Sequence, residues 1–220
     1  MSATVGNLTQ LATFLRATLF TDDFRPVELE EHIKVGCDIL SVIKTAAVNE
    51  QFKMKRKVDK VLDSNIARID EDAVTSLVLE VFPEHSVLVF CDSKKRCENV
   101  AEMISTVISM REETCIKMLS HRREEKQTLL ETLKMEGSGF VCPTLRKTIP
   151  FGIAYHHSGL TMDERKLIEE SYQAGVVGVL CCTSTLAAGV NLPARRVIIR
   201  SPFMGRSQLT NAQYKQMVGR

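Results

Sequence analysis

The sequence predicts an α/β fold with a mostly parallel sheet flanked by helices, and three observations carry that prediction. Short runs apolar on both faces, Ser86-Val87-Leu88-Val89-Phe90-Cys91 and residues 177–182, suit parallel strands covered by helices on each side. Between them lie stretches with helical apolar spacing, at residues 74–81, 93–109 and 163–173. The alternation then continues through strands at 151–155, 177–182 and 196–200 and a helix at 211–218, the pattern of a parallel sheet.

Each element has a local reason. Asn7 can cap a short amphipathic helix with apolar positions Leu8, Leu11, Phe14, Leu15 and Leu19. Residues 24–29 and 33–35, then Gly36, then 38–42, alternate polar and apolar about a turn residue and read as a hairpin. Residues 45–64 are polar and Lys-rich, and Lys53-Met54-Lys55-Arg56-Lys57 reads as a solvated helix face or loop rather than a nuclear-import cluster. Ser93 caps the helix that follows the first apolar strand. A charged helical segment over 120–135, read as a solvated face, stops at Gly137-Ser138-Gly139.

Composition narrows the class. Hydrophobic residues make up 44% and charged residues 25% of 220, which excludes a disordered or fibrous chain. No apolar run approaches the ~20 residues of a membrane span. The seven Cys include no C-x-x-C pair, so no metal site is expected and the thiols read as small buried hydrophobes of a reducing compartment. Residues 1–142 carry 19 basic and 23 acidic side chains, and residues 143–220 carry 10 and 4. The stretch from Arg195 to Arg220 has no acid at all, which suggests a polyanion partner.

Ligands of such sheets sit at the carboxyl ends of the strands. There the sequence places Asp92-Ser93-Lys94-Lys95, His156-His157-Ser158-Gly159-Leu160-Thr161 and Thr183-Ser184-Thr185. A hydroxyl beside the free N–H groups of a helix start is a seat for phosphate oxygens, although Ser93, Thr161 and Ser184 are also ordinary N-caps. Three such seats on one edge could follow a sugar–phosphate backbone.

These segments carry a resemblance. Met1-Ser2-Ala3-Thr4, Val89-Phe90-Cys91-Asp92-Ser93-Lys94-Lys95, Tyr155-His156-His157-Ser158-Gly159-Leu160, residues 183–196 with Gly189-Val190-Asn191-Leu192-Pro193, and Gln216-Met217-Val218-Gly219-Arg220 resemble motifs III, IV, IVa, V and the start of VI of superfamily 2 helicases. The form of motif V, with Phe24-Arg25-Pro26-Val27, is similar to DNA-repair helicases related to the helicase half of DNA polymerase theta, including the stand-alone polymerase-theta-like helicases. It also disfavours an RNA helicase of the same superfamily.

The resemblance implies a RecA-like domain over residues 65–220, truncated within motif VI. Residues 1–64 would hold the end of a first RecA-like domain plus a helix and hairpin linker. The parent would be an ATP-dependent 3′–5′ DNA helicase of DNA repair in the nucleus. Ser2, Ala3 and Thr4 would couple hydrolysis to movement. Ser93, Lys94, His157, Ser158, Gly159, Thr183 and Ser184 would face the DNA backbone. Gly189 and Asn191 would lie by the ATP ribose and Gln216 by its phosphates, with Arg220 as an arginine finger, so that Gln216 and Arg220 carry the catalytic role. Mg2+ would be held by the N-terminal RecA-like domain, and the partners would be single-stranded and forked DNA, that domain and other DNA repair proteins, with no membrane. No G-x-x-x-x-G-K-[ST] loop or magnesium-binding acidic pair occurs in the 220 residues. The expectation is therefore a fragment, inactive alone, or a non-catalytic fragment that binds nucleic acid or interferes with the full enzyme. Asp92 replaces the usual Pro, and its charge would oppose a phosphate unless it caps the next helix. Aromatic residues are 5% with no Trp, so the grip should be backbone electrostatics rather than base stacking.

Overall fold

The computed structural model describes residues 8–20, 28–43, 51–58, 64–137, 139–184, 186, 190–205 and 207–219. The chain forms two compact units, Met1–Lys60 and Val61–Arg220.

In the first unit, α1 (Leu8–Leu15) is shorter than its apolar pattern, which runs on to Leu19, and it buries none of its residues. It ends where Arg16 takes φ +50°. Arg16 N–H and Ala17 N–H then donate to Thr13 O at 3.2 Å and Ala12 O at 2.9 Å, the paired bonds of a Schellman end. Strands β1 (His32–Val35) and β2 (Asp38–Val42) form a hairpin with Val35 opposite Asp38. Gly36, at φ +60°, opens its two-residue turn, a position that favours glycine. The Lys-rich stretch is neither helix nor loop. It is a third strand, β3 (Phe52–Lys57), antiparallel to β2, with almost every residue exposed. The solvated character holds, but the period is that of a strand.

In the second unit, α2 (Ser64–Ile69) and α3 (Val74–Leu79) precede the sheet. Buried Asp70 starts α3 by accepting from Val74 N–H at 2.8 Å and Thr75 N–H at 2.7 Å. Strands β4 (Val87–Phe90), β5 (Ile153–His156), β6 (Val179–Cys182) and β7 (Arg196–Ile199) form one sheet in the order β5-β6-β4-β7, and every pairing is parallel. This is the α/β architecture that the apolar runs predict. Strands β4, β5 and β6 are buried at every position, whereas edge strand β7 is half-buried.

Helices α4 (Lys94–Ser109) and α8 (Met162–Gln173) each follow a strand and pack on the sheet. Between α4 and β5 the chain departs from expectation. The charged segment is two helices, α5 (Glu112–Ser120) and α6 (Arg123–Glu136), broken where Arg122 takes φ +51°. A further helix, α7 (Pro143–Thr148), starts on a proline, which suits the first turn because that N–H has no helical partner. Strand β5 therefore begins at Ile153, after a 3-10 turn over Ile149–Phe151.

At the start of the sheet, Phe82 lies over two glycines. A Cβ on Gly178 would fall 2.3 Å from its ring, and one on Gly152, itself at φ +76°, 2.9 Å. A small hairpin, β8 (Phe203–Met204) and β9 (Ser207–Gln208), leads to α9 (Asn211–Val218). Thr210 and Gln213 close a capping box at its start, and its Met217 is fully buried in the core. Cys91, Cys97, Cys181 and Cys182 are buried and all seven thiols are free. Among the described residues no helix is long and apolar enough to cross a membrane.

Candidate functional site

The pairing brings three expected loops to one edge. Phe90, His156 and Cys182 are register partners at the ends of β4, β5 and β6, so Asp92–Lys94, His157–Thr161 and Thr183–Ser184 emerge side by side. Three neighbouring strands at about 4.8 Å spacing span about 10 Å. Helices α4 and α8 start at this edge, so two positive dipole ends face it.

Ser93 is extended, at φ −149° and ψ 157°, and its Oγ accepts from Arg96 N–H at 3.3 Å. The hydroxyl proton remains a donor. Lys94 and Lys95 diverge. Lys95 Nζ is paired with Glu98 at 2.8 Å, whereas the stem of Lys94 lies 3.9 Å from where a Gly159 Cβ would stand. Lys94 is exposed and has no ion-pair partner among the described residues.

Asp92 does not cap α4, since Ser93 does. Its carboxylate is half-buried and lies 3.4 Å from Arg96 Nε, and this opposite charge offsets part of its repulsion toward an anion.

In the loop expected to face the DNA backbone, the two histidine rings lie inside. His156 and His157 are 5% and 4% exposed. His156 Nε2 meets Glu169 Oε1 at 2.6 Å. His157 stacks on Tyr155, with centroids 4.9 Å apart at 19°. Its Nδ1 accepts from Gly159 N–H at 3.0 Å, so the neutral ring carries its proton on Nε2, 3.3 Å from Glu98 Oε1. Burial, opposed by Glu169 and Glu98, holds both imidazoles below their ordinary range. The rings brace the loop from beneath, and Ser158 and Gly159 are its exposed part. Gly159 is needed for close approach: a Cβ there would stand 2.8 Å from the His157 ring.

Thr161 is already engaged. Its Oγ1 accepts from Glu164 N–H at 3.2 Å while Glu164 accepts from Thr161 N–H at 2.8 Å. That capping box places a carboxylate where a phosphate seat was expected. Thr183 and Ser184 are half-buried, and Leu186 N–H donates to Thr183 O at 3.1 Å.

The basic C-terminal stretch is only partly available. Arg196 donates to Leu77 O and Glu80 Oε2, each at 2.6 Å, and Arg200 donates to Asp72 at 2.6 Å. Both brace β7 against the α2–α3 segment. Arg195 and Lys215 are exposed. Asn191 is exposed and Gln216 half-buried, each next to a fully buried anchor, Leu192 and Met217. Carboxamides in these places suit the hydroxyls and phosphate oxygens of a nucleotide. Ser2, Ala3, Thr4, Gly189, Arg206 and Arg220 lie outside the described residues.

Sequence reasoning missed the bracing by Glu98, Glu169 and Tyr155. Glu98 and Glu169 face inward at helical positions, but only the parallel pairing shows that they reach the two histidines.

The model of the helicase conserved C-terminal domain matches residues 110–220. The whole chain is 51% identical to "Helicase POLQ-like" of Drosophila melanogaster, covering 20% of that protein. It is 49% identical to the Homo sapiens protein of that name, covering 19%. Over 91% of its length it is 35% identical to "ATP-dependent DNA helicase Hel308" of Methanococcus vannielii, covering 24% of that protein. The chain thus spans about one fifth of the length of these relatives. With its parallel sheet and aligned motif loops, the chain belongs to the helicase conserved C-terminal domain family and is similar throughout to the POLQ-like superfamily 2 helicases.

Proposed function

We propose that this chain is the strand-gripping half of a DNA helicase motor. Residues 65–220 act as its second RecA-like domain, and residues 1–64 supply the end of the first plus a linker. The observation that carries the reading is the shared edge of β5, β6 and β4, where exposed Lys94, Ser158 and Gly159 stand beside the capping hydroxyl of Ser93. Lys94 supplies charge, Ser93 and Ser158 supply hydroxyl donors, and Gly159 lets a backbone approach closely. His157 acts from below as a positioning residue, with Thr183 and Ser184 completing the edge. No aromatic side chain stands among these contacts, so the grip follows the sugar–phosphate chain and is independent of base sequence.

ATP hydrolysis supplies the free energy for movement. Asn191 and Gly189 hold the ribose side, Gln216 the phosphate side, and Arg220 neutralises charge on the transferred phosphoryl group. Mg2+ is held by the N-terminal RecA-like domain of the same polypeptide. Ser2, Ala3 and Thr4 couple the two halves. The names "Helicase POLQ-like" and "ATP-dependent DNA helicase Hel308" support an ATP-dependent DNA helicase; the 3′–5′ direction, single-stranded and forked DNA as substrate, and work in nuclear DNA repair with other repair proteins belong to the same proposal.

Binding of the 220-residue chain to labelled single-stranded DNA and to RNA of equal length tests the reading. Tighter DNA binding, indifferent to base sequence, is expected, and a strong RNA preference overturns it. The same chain, which contains no phosphate loop, is expected to turn over no ATP above a buffer blank.

A further inference from the structure

Away from that edge, a groove of about 800 Å3 opens between α5 and α6. Ile116 and Leu119 of α5, Leu130 of α6 and Val141 line it with apolar surface. Ile116 is 62% and Leu119 40% exposed, so this is apolar area left in water by the described chain. Along α6 the wall reads Arg123, Gln127, Leu130 and Lys134. These positions recur at helical spacing on one face and span about 16 Å, or three turns, at 1.5 Å per residue.

Exposed basic side chains outnumber acidic ones around this floor. Arg123 and Lys134 stand at the two ends and Arg146 on α7. All three are exposed, with no ion-pair partner among the described residues. Glu131 is the one acid among the lining residues, and it accepts from Gln127 Nε2 at 3.3 Å. Beneath them Lys126 is buried, its Nζ donating to Met118 O at 2.6 Å and Pro150 O at 3.0 Å. This buried ammonium, which the solvated-face reading of the segment did not anticipate, ties α6 to α5 and to the turn before β5, and so fixes the groove's width.

We propose that this groove docks an acidic amphipathic helix of a partner protein. Three turns of helix match the α6 wall, apolar side chains at i, i+4 and i+7 fill the floor, and Asp or Glu at both ends meets Arg123 and Lys134. A nucleic acid would satisfy the charge but leave the apolar floor uncovered, and no lining residue is aromatic for a base to stack on. A second copy of the chain would set basic rim against basic rim.

The test is fluorescence anisotropy of the 220-residue chain with three labelled peptides of about 14 residues. One carries Leu at i, i+4 and i+7 with Glu at both ends, the second replaces the Glu by Lys, and the third replaces the Leu by Ser. The acidic amphipathic peptide is expected to bind at least about tenfold more tightly than either control. The double variant Arg123→Glu, Lys134→Glu changes only exposed side chains and should reverse the preference to the Lys peptide, with circular dichroism confirming an unchanged fold. Equal binding of the three peptides, or a folded double variant that keeps the acidic preference, overturns the proposal. Concentration-dependent dimerisation abolished by the double variant also overturns it, in favour of a second copy.

Discussion

Replacing Gly159 with Ala tests the claim that His157 holds the 156–159 loop from beneath. Gly159 does not have a left-handed φ, and its ideal Cβ would stand 2.8 Å from His157 Cε1 and 2.9 Å from Nδ1. Ordinary contact is about 3.5–4.0 Å, so ring or loop must yield about 0.7 Å. The ring has little room, being 4% exposed and stacked on Tyr155. Moving it breaks the 3.0 Å bond from Gly159 N–H. Stranding that buried acceptor costs about 1–3 kcal/mol, and an off-rotamer ring about 0.5–1.5 kcal/mol. Alanine returns about 0.4–1 kcal/mol by restricting the unfolded chain. The net is about 2 kcal/mol of destabilisation, or about 4–8 °C in Tm for a domain of this size. Thermal unfolding followed by circular dichroism reads the shift. In a His157→Ala background the clash is gone, so the same substitution should become neutral or stabilising. A Tm unchanged or raised by Gly159→Ala in the wild-type background refutes the reasoning, because alanine without a clash stabilises.

Other consequences follow from the same geometry. Arg196→Ala removes bonds to Leu77 O and Glu80 and should cost about 1–3 kcal/mol in urea unfolding with no change in single-stranded DNA affinity; a lost affinity with full stability would make Arg196 a contact instead. Burial depresses His156 and His157, so their stabilisation is complete above the ordinary imidazole pKa near 6.5 and falls away as pH drops below it toward the lowered folded values. Unfolding free energies measured between pH 8 and pH 5 should show that decline, with a smaller slope in His157→Gln, and an identical slope in the variant would contradict the assignment.

The sheet was legible because buried parallel strands are apolar at every position, as Val87–Phe90 and Val179–Cys182 are. The loops at their carboxyl ends followed from the same reading. What was hidden depends on contacts distant in sequence. Polar Phe52–Lys57 is a strand because β2 offers it an edge, and its composition says only that it is solvated. The break at Arg122 uses a left-handed residue that is not glycine, so no turn signal marks it. The helix that starts at Pro143 was not read from the sequence, although a proline suits a first helical turn. Adjacent His156 and His157 read as a polar loop, and only Glu169, Glu98 and Tyr155, supplied by other elements, make them interior braces.

The most direct test of the strand-gripping edge is the salt dependence of single-stranded DNA affinity for the chain and its Lys94→Ala variant. The account predicts affinity that falls steeply with salt. In Lys94→Ala it should be weaker on every DNA sequence, with the log–log slope reduced by about 0.7 for one lost phosphate contact. A nearly flat salt dependence, or a variant with unchanged affinity and slope, would contradict it.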